Sequence, residues 1–252
     1  MKLAYSLIDW HALAPGLAER EAWHRWAQHA ATIDSTQSLA KPQHLPMMTA
    51  RRLSGGSRAA VESGLVLLAR QRVDAIVFTS RHGELERNLR ILTTLAERQA
   101  LSPTDFAMSV HNSAVGSLTI AAKKPLVSTS ISAGIDSFQQ GLLEVSALHQ
   151  AGYQQVLLVD FDGTIPDYYL PWLPEAGCNA PYAVALLLAA GSVLQCTNTL
   201  NTEPVSQPML PQSLEFLHNV LAQSNSFTLL GERLNWHRAN VIRLNFKQVS
   251  QQ

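Results

Sequence analysis

The sequence predicts an α/β protein of layered architecture, and three observations carry that prediction. Apolar runs of strand length, Asp74 to Ser80 and Ala183 to Leu188 among them, alternate with segments of helical periodicity. The stretch from Asp105 to Glu144 passes from a small-residue helix pattern through Pro125 into a β-branched, hydroxyl-rich strand, then through Ala133-Gly134 into another helix. The chain, at 252 residues, is also long enough to bury a full core. Strands alternating with helices of about 10–15 residues imply a largely parallel sheet between helical layers.

In chain order, Leu3 to Trp10 reads as the first strand. Pro15-Gly16 marks a turn, and Leu17 to His29 a short helix with Trp23 and Trp26 on one side. Thr32 to Pro46 is polar and proline-punctuated, hence a loop. Ser57 to Arg72 has amphipathic helical spacing, weakened by Gly64, with Ser57 as its cap. Asp74 to Ser80 is a buried strand, and Gly83 to Arg98 is helical, with Ser102 or Thr104 as the cap of the next segment. Then come a helix (Ser113 to Ala122), a strand (Leu126 to Ser132), a helix (Ser137 to Ala151) and a strand (Gln155 to Asp160). Tyr168 to Ala180 is a proline-rich excursion. Ala183 to Leu188 is apolar throughout and therefore central in its sheet. Asn198 to Pro211 is loop, Gln212 to Gln223 helix, and Ser226 to Leu230 and Ala239 to Asn245 short strands.

Charged residues make up 15% of the chain, well below the roughly 25% usual for soluble domains, and the formal net charge is zero. Either the surface is polar but uncharged, or another subunit covers part of it, since interface cores are poor in charge. Basic residues are scattered apart from the pairs Arg51-Arg52 and Lys123-Lys124, so no nucleic-acid partner is expected. The first residues make a poor signal peptide, and no apolar run reaches the ~18 residues of a membrane span. A cytoplasmic protein with Cys178 and Cys196 as reduced thiols is the default expectation.

Several residue groups carry possible chemistry. Asp160-Phe161-Asp162-Gly163-Thr164 at a strand end has the form of a phosphatase nucleophile motif, yet the only later lysine is Lys247 and no acidic pair comes after it. The plain alternative is a strand ending in an Asp-Gly turn. Ser109 and His111, two apart on an extended segment, have the spacing of a nucleophile and its base, whereas local bonding to backbone requires no further partners. An independent hydrolase or transferase built on Ser109/His111 or Asp160/Asp162 is implied if either pair is real. Ser128, Ser130 and Ser132 alternate on one strand face. The nine histidines show no metal-ligand spacing, Gly55-Gly56-Ser57 is the nearest approach to a phosphate loop, and no cofactor is expected.

The run FAMSVHNSAVGSLTIAAKKPLVSTSISAGIDSFQQGLLEVSAL resembles the N-terminal half of β-ketoacyl synthases, members of the thiolase fold, over about residues 45 to 190. Arg51 to Leu68 is similar to a helix of that family, and Asn112 and Gly116 match its asparagine and glycine before the helix leading to the dimer strand. Within the family, the resemblance is to the chain-length-factor proteins of bacterial aryl polyene biosynthesis. It implies a thiolase-like layered α/β/α domain over 1–252, truncated relative to a full ketosynthase, with 198–252 a loosely matching extension. Active members present a cysteine where Ser132-Ala133-Gly134 stands here. Gly134 has no side chain to carry a thioester, Ser137 stands one turn on, and neither His218 nor His237 stands in the family's histidine motif. The resemblance therefore implies a non-catalytic subunit that pairs through Leu126 to Ser132 with a catalytic ketosynthase and meets acyl carrier protein only through that complex. Phe106, Met108, His111, Asn112, Ser130, Ser132 and Phe138 are then the candidates for lining the interface or the partner's acyl tunnel. A purely structural stabiliser of the ketosynthase remains the competing role.

Overall fold

The computed structural model describes residues 2–29, 32–173, 179–203 and 210–238. Its eight strands form a single sheet. They are β1 (Lys2–Leu13), β2 (Ala75–Thr79), β3 (Val127–Ile131), β4 (Gln155–Asp162), β5 (Tyr182–Ala190), β6 (Leu194–Leu200), β7 (Phe227–Leu229) and β8 (Leu234–Arg238). The order across the sheet is β3-β2-β4-β5-β1-β6-β8-β7. The helices are α1 (Arg20–Ala27), α2 (Met47–Ala50), α3 (Gly55–Arg70), α4 (Leu85–Ala96), α5 (Pro103–Ala107), α6 (Ser113–Ala122), α7 (Ser137–Gln150) and α8 (Gln212–Leu221).

The apolar strands are apolar because both their faces are covered. Along β2, Ala75 and Val77 join one core with Val156 and Leu158 of β4 and Phe138, Leu142 and Val145 of α7. Ile76 and Phe78 join the opposite core with Leu157, Val159 and Phe161 and with residues of α3 and α6. Side chains alternate at period two, so a strand between two helical layers needs an unbroken apolar run. Trp23 and Trp26 lie edge to face on α1 with ring centroids 5.1 Å apart, and the Trp23 indole donates to the Ala12 carbonyl.

The sheet corrects the expectation of largely parallel pairing. Only β2–β3 and β2–β4 are parallel; the remaining neighbours are antiparallel. Parallel strands need a crossover, and helices link β2 to β3 and β3 to β4. The proline-rich segment after β4 contains only a 3-10 turn, Leu170–Trp172, among its described residues, and β5 returns antiparallel. The central place expected for Ala183 to Leu188 is where β5 lies, buried through Leu188.

Three further differences concern boundaries. A register shift between Leu7 and Asp9 lets β1 run on past Trp10 to Leu13. The segment expected as loop from Asn198 begins as the end of β6, where Asn198, Thr199 and Leu200 pair with β8. β8 lies earlier than the expected last strand, and Ala239 to Asn245 falls outside the described residues, as does Cys178. Cys196 in β6 is buried with a free thiol that burial pushes up to about 11.

Helix α3 begins at Gly55 rather than at a Ser57 cap. A Cβ on Gly56 would stand 2.4 Å from the Asp162 carbonyl oxygen and 2.6 Å from the Gly163 nitrogen. Only a glycine lets the first turn of α3 rest on the backbone at the end of β4. Gly56→Ala forces main chain apart, so it is expected to destabilise the fold by about 1–3 kcal/mol, read as a lowered denaturant midpoint with unchanged slope.

Candidate functional site

Strands β2, β3 and β4 point their carboxyl ends the same way, the end where open parallel sheets place their sites. Two carboxylates hold that end together. Asp162 accepts hydrogen bonds from the Ser80 hydroxyl at 2.6 Å, the His82 amide at 2.8 Å and the Arg81 amide at 3.2 Å. Asp160, fully buried, accepts from the hydroxyls of Thr79 (2.5 Å), Ser213 (2.5 Å) and Tyr182 (3.1 Å). Burial pushes the Asp160 carboxyl up to about 7, against the pull of the Ser213 and Thr79 hydroxyls, with the nearby Asp162 charge adding to the rise. These are the bonds of a structural strand end. Among the described residues no group of three or more His, Cys, Asp or Glu is placed to hold a metal ion.

Beyond β3 the chain turns through a 3-10 segment, Gly134–Asp136, into α7. Gly134 has φ +60°, and the nearest atom to a Cβ built there is Glu232 Oε2 at 3.7 Å. The elbow thus has space for a side chain and a backbone conformation that glycine adopts without strain. Ser137 does not fill the gap: it is buried, its hydroxyl donating to the Gly134 carbonyl at 2.8 Å and accepting from the Ala133 amide at 3.0 Å. Ser132 leans on the Arg81 carbonyl at 3.4 Å and Ser130 on the His111 carbonyl at 3.3 Å. An open groove of about 690 Å³ runs beside the elbow, lined by Ser132, Gly134, Leu143, Glu144, Glu232 and Arg233 among others.

Ser109 and His111 do not form a pair. Residues 109–112 are a turn between α5 and α6, not a strand. The Ser109 hydroxyl donates to the Phe106 carbonyl at 2.8 Å, and His111 Nε2 donates to the Ser80 carbonyl at 3.1 Å. Local backbone bonding accounts for Ser109, and His111 ties the α5–α6 turn to the carboxyl end of β2. Phe106 is 67% exposed, Met108 packs partly against the α3/α6 core, and Asn112 is exposed at the start of α6. Phe138, a candidate for lining the interface or the tunnel, is buried in this chain's own core, 5.5 Å from the Phe216 ring. Its partner lies on α8, too distant in sequence to be anticipated.

Sequence reasoning passes over Asp136. This buried carboxylate accepts from the Glu232 amide at 2.7 Å and the Arg233 amide at 3.3 Å, binding the turn between β7 and β8 to the elbow. An aspartate just before a helical run is the available signal. The donors around Asp160, scattered over residues 79, 182 and 213, leave no such signal.

The two ends of this site carry separate expected outcomes. With an unfolded carboxyl near 4 and a folded one near 7, the native state holds the extra proton, so the Asp160 contribution is intact at low pH and is lost as pH rises from 4 to 7. Relative to Asp160→Asn, the unsubstituted chain should lose up to about 4 kcal/mol across that window, measured as the pH dependence of the difference in unfolding free energy. Gly134→Cys should fold at a cost of about 1–2 kcal/mol for the left-handed backbone, and alkylation detected by mass spectrometry should find the new thiol accessible.

Comparison with known proteins accords with this architecture. Residues 23–238 match the model of the β-ketoacyl synthase N-terminal domain. A chain of the ketosynthase (ApeO) in complex with its chain length factor (ApeC) from Xenorhabdus doucetiae is 53% identical, with a TM-score of 0.90 over 94% of this chain and 100% of that one. The ishigamide ketosynthase/chain length factor gives a TM-score of 0.62 at 13% identity, over 80% of this chain and 68% of that chain. AntDE:AntF, a type II PKS acyl-carrier protein in complex with its ketosynthase, gives 0.65 at 9% identity, over 96% and 100% of the two chains. At those identities the last two likenesses speak for the fold alone. A search of curated proteins returned no match. The family model spans most of the chain, and the elbow between an outer parallel strand and a buried helix lies inside it; the chain belongs to the β-ketoacyl synthase family through its N-terminal domain, with that family's thiolase-like layered fold.

Proposed function

We propose that this protein is a non-catalytic chain-length factor: it pairs with a catalytic β-ketoacyl synthase and shapes the tunnel in which an aryl polyene chain grows on acyl carrier protein. The observation that carries the reading is Gly134. The elbow has a turn, a helix start and open space, but no atom able to attack a thioester. Attack, decarboxylation of the malonyl unit and stabilisation of the resulting enolate then belong to the partner. The 53% identity to a chain of a ketosynthase–chain length factor complex supports pairing as the mode of action.

Strand β3 suits the pairing. It is the terminal strand of the sheet, so its outer edge is open to a strand from another subunit. The Ser130 hydroxyl ties β3 to the His111 carbonyl, and in this reading His111 and Ser130 line the tunnel mouth together with exposed Phe106, part-buried Met108, Asn112 and Ser132. Phe138, turned into the core, has no such part.

The isolated chain is expected to transfer no acyl group from acyl carrier protein, and condensation should appear when a partner ketosynthase is added. Acylation and turnover by the chain alone would end the proposal. Shortening Phe106 or Met108 to alanine should move the products of the complex to longer chains, read by mass spectrometry with assembly held constant. An unchanged distribution for both would leave the chain as a stabiliser of its partner, with no hand in length.

A further inference from the structure

The turn between β7 and β8, residues 230–233, is fixed to the elbow by side chains from distant parts of the chain. Asp136 of the elbow accepts the amides of Glu232 and Arg233 at 2.7 and 3.3 Å. Asn201, just past β6, donates from its side chain to the Gly231 carbonyl at 2.9 Å and from its own amide to the Arg233 carbonyl at 3.0 Å. Gln212 of α8 donates to the Leu230 carbonyl at 2.8 Å, and Asn235 accepts from the Gly231 amide at 3.2 Å. These bonds fix the backbone of the turn and, with it, the root of the Glu232 side chain.

That arrangement puts an acid beside the place where a nucleophile would stand. Glu232 Oε2 is the nearest atom, at 3.7 Å, to a Cβ built on Gly134. The side chain is exposed, and its carboxylate makes no hydrogen bond or ion pair among the described residues. The other acids lining the groove are engaged, Asp136 by the turn amides and Glu144 by the Thr129 hydroxyl at 3.2 Å. Arg233 is the one basic side chain in the lining, so acid outweighs base there. The same groove also presents apolar Ile131 and Leu143.

We infer that Glu232 sorts acyl groups by charge at this chain's own elbow. It turns away acyl thioesters whose acyl group carries a free carboxylate and leaves the groove open to uncharged acyl chains. Two like charges about 5 Å apart in a partly wet groove repel enough to change a rate or an occupancy severalfold. An uncharged chain meets no such repulsion and gains from contact with Ile131 and Leu143. A carboxylate-bearing extender unit is thereby kept from this elbow. The property belongs to this chain alone and holds whether or not a partner is bound.

The test places a reporter thiol in the full-length chain by Gly134→Cys. That thiol is alkylated with neutral iodoacetamide or anionic iodoacetate, and its modification is followed by peptide mass spectrometry. Both reagents attack the thiolate, so the ratio of their rates cancels any change in the thiol's own ionisation. Adding Glu232→Gln should lower the iodoacetamide-to-iodoacetate ratio at least about threefold, and the drop should shrink in about 1 M salt. Glu232→Gln leaves the bonds of the turn in place, because they use main-chain groups of that residue. Ser132→Cys, in the same groove, is the second reporter should Gly134→Cys not fold. A ratio that Glu232→Gln leaves unchanged in the reporter that folds overturns the inference, and the pairing proposal stands. A chain that binds no ketosynthase yet shows the shift loses the pairing proposal and keeps this one.

Discussion

The carboxylates of Asp160 and Asp162 set the geometry on which everything at the working end of this sheet rests. They stand two residues apart on one strand and bind different groups. Asp160 gathers hydroxyls from β2, β5 and α8, closing one helical layer onto the sheet. Asp162 takes the hydroxyl of Ser80 and the amides of Arg81 and His82, dictating how the chain leaves β2. The Ser80 carbonyl in turn receives His111, so the turn before α6 is positioned from the same point. The Asp162 backbone also supports the first turn of α3 through Gly56. Removing hydroxyl partners from such a buried carboxylate leaves desolvated acceptors, so each of these hydrogen bonds is costly to break.

Much of the fold is legible in the sequence because it depends on local pattern. Helix α6 runs from Ser113 to Ala122 as its small-residue periodicity implies, and β3 lies one residue inside each expected bound. Ser102, one of the two expected caps, does cap α5 by accepting from the Asp105 amide. The features that escape the pattern depend on contacts distant in sequence. Strand direction after β4 is one, although a proline-rich excursion in place of a crossover helix is visible there. β6 and β8 carry Thr, Asn and His, and owe their strand form to pairing with each other and, for β6, with β1.

The site divides along the same line. Gly134 stands out in the sequence because a strand feeding a helix through glycine is a local pattern, and the elbow is where that pattern puts it. The Ser109–His111 pair fails because a five-residue helix precedes it, curling the segment so that its polar atoms meet backbone. Nearness to the elbow in sequence puts Phe138 at the interface; one step into α7, it faces Phe216 instead. Hydroxyl clusters around carboxylates have no sequence signature, since each donor is an ordinary Ser, Thr or Tyr until the fold collects them.

The outer strand has one more consequence. Val127, Ser128, Thr129, Ser130 and Ile131 form a short edge dressed largely in hydroxyls, the Thr129 hydroxyl already donating to Glu144. A border that short and that polar offers less for copies of itself to pair on than a long row of valine and isoleucine would. A freshly synthesised molecule therefore leaves only five residues of open strand edge to be covered when its partner arrives.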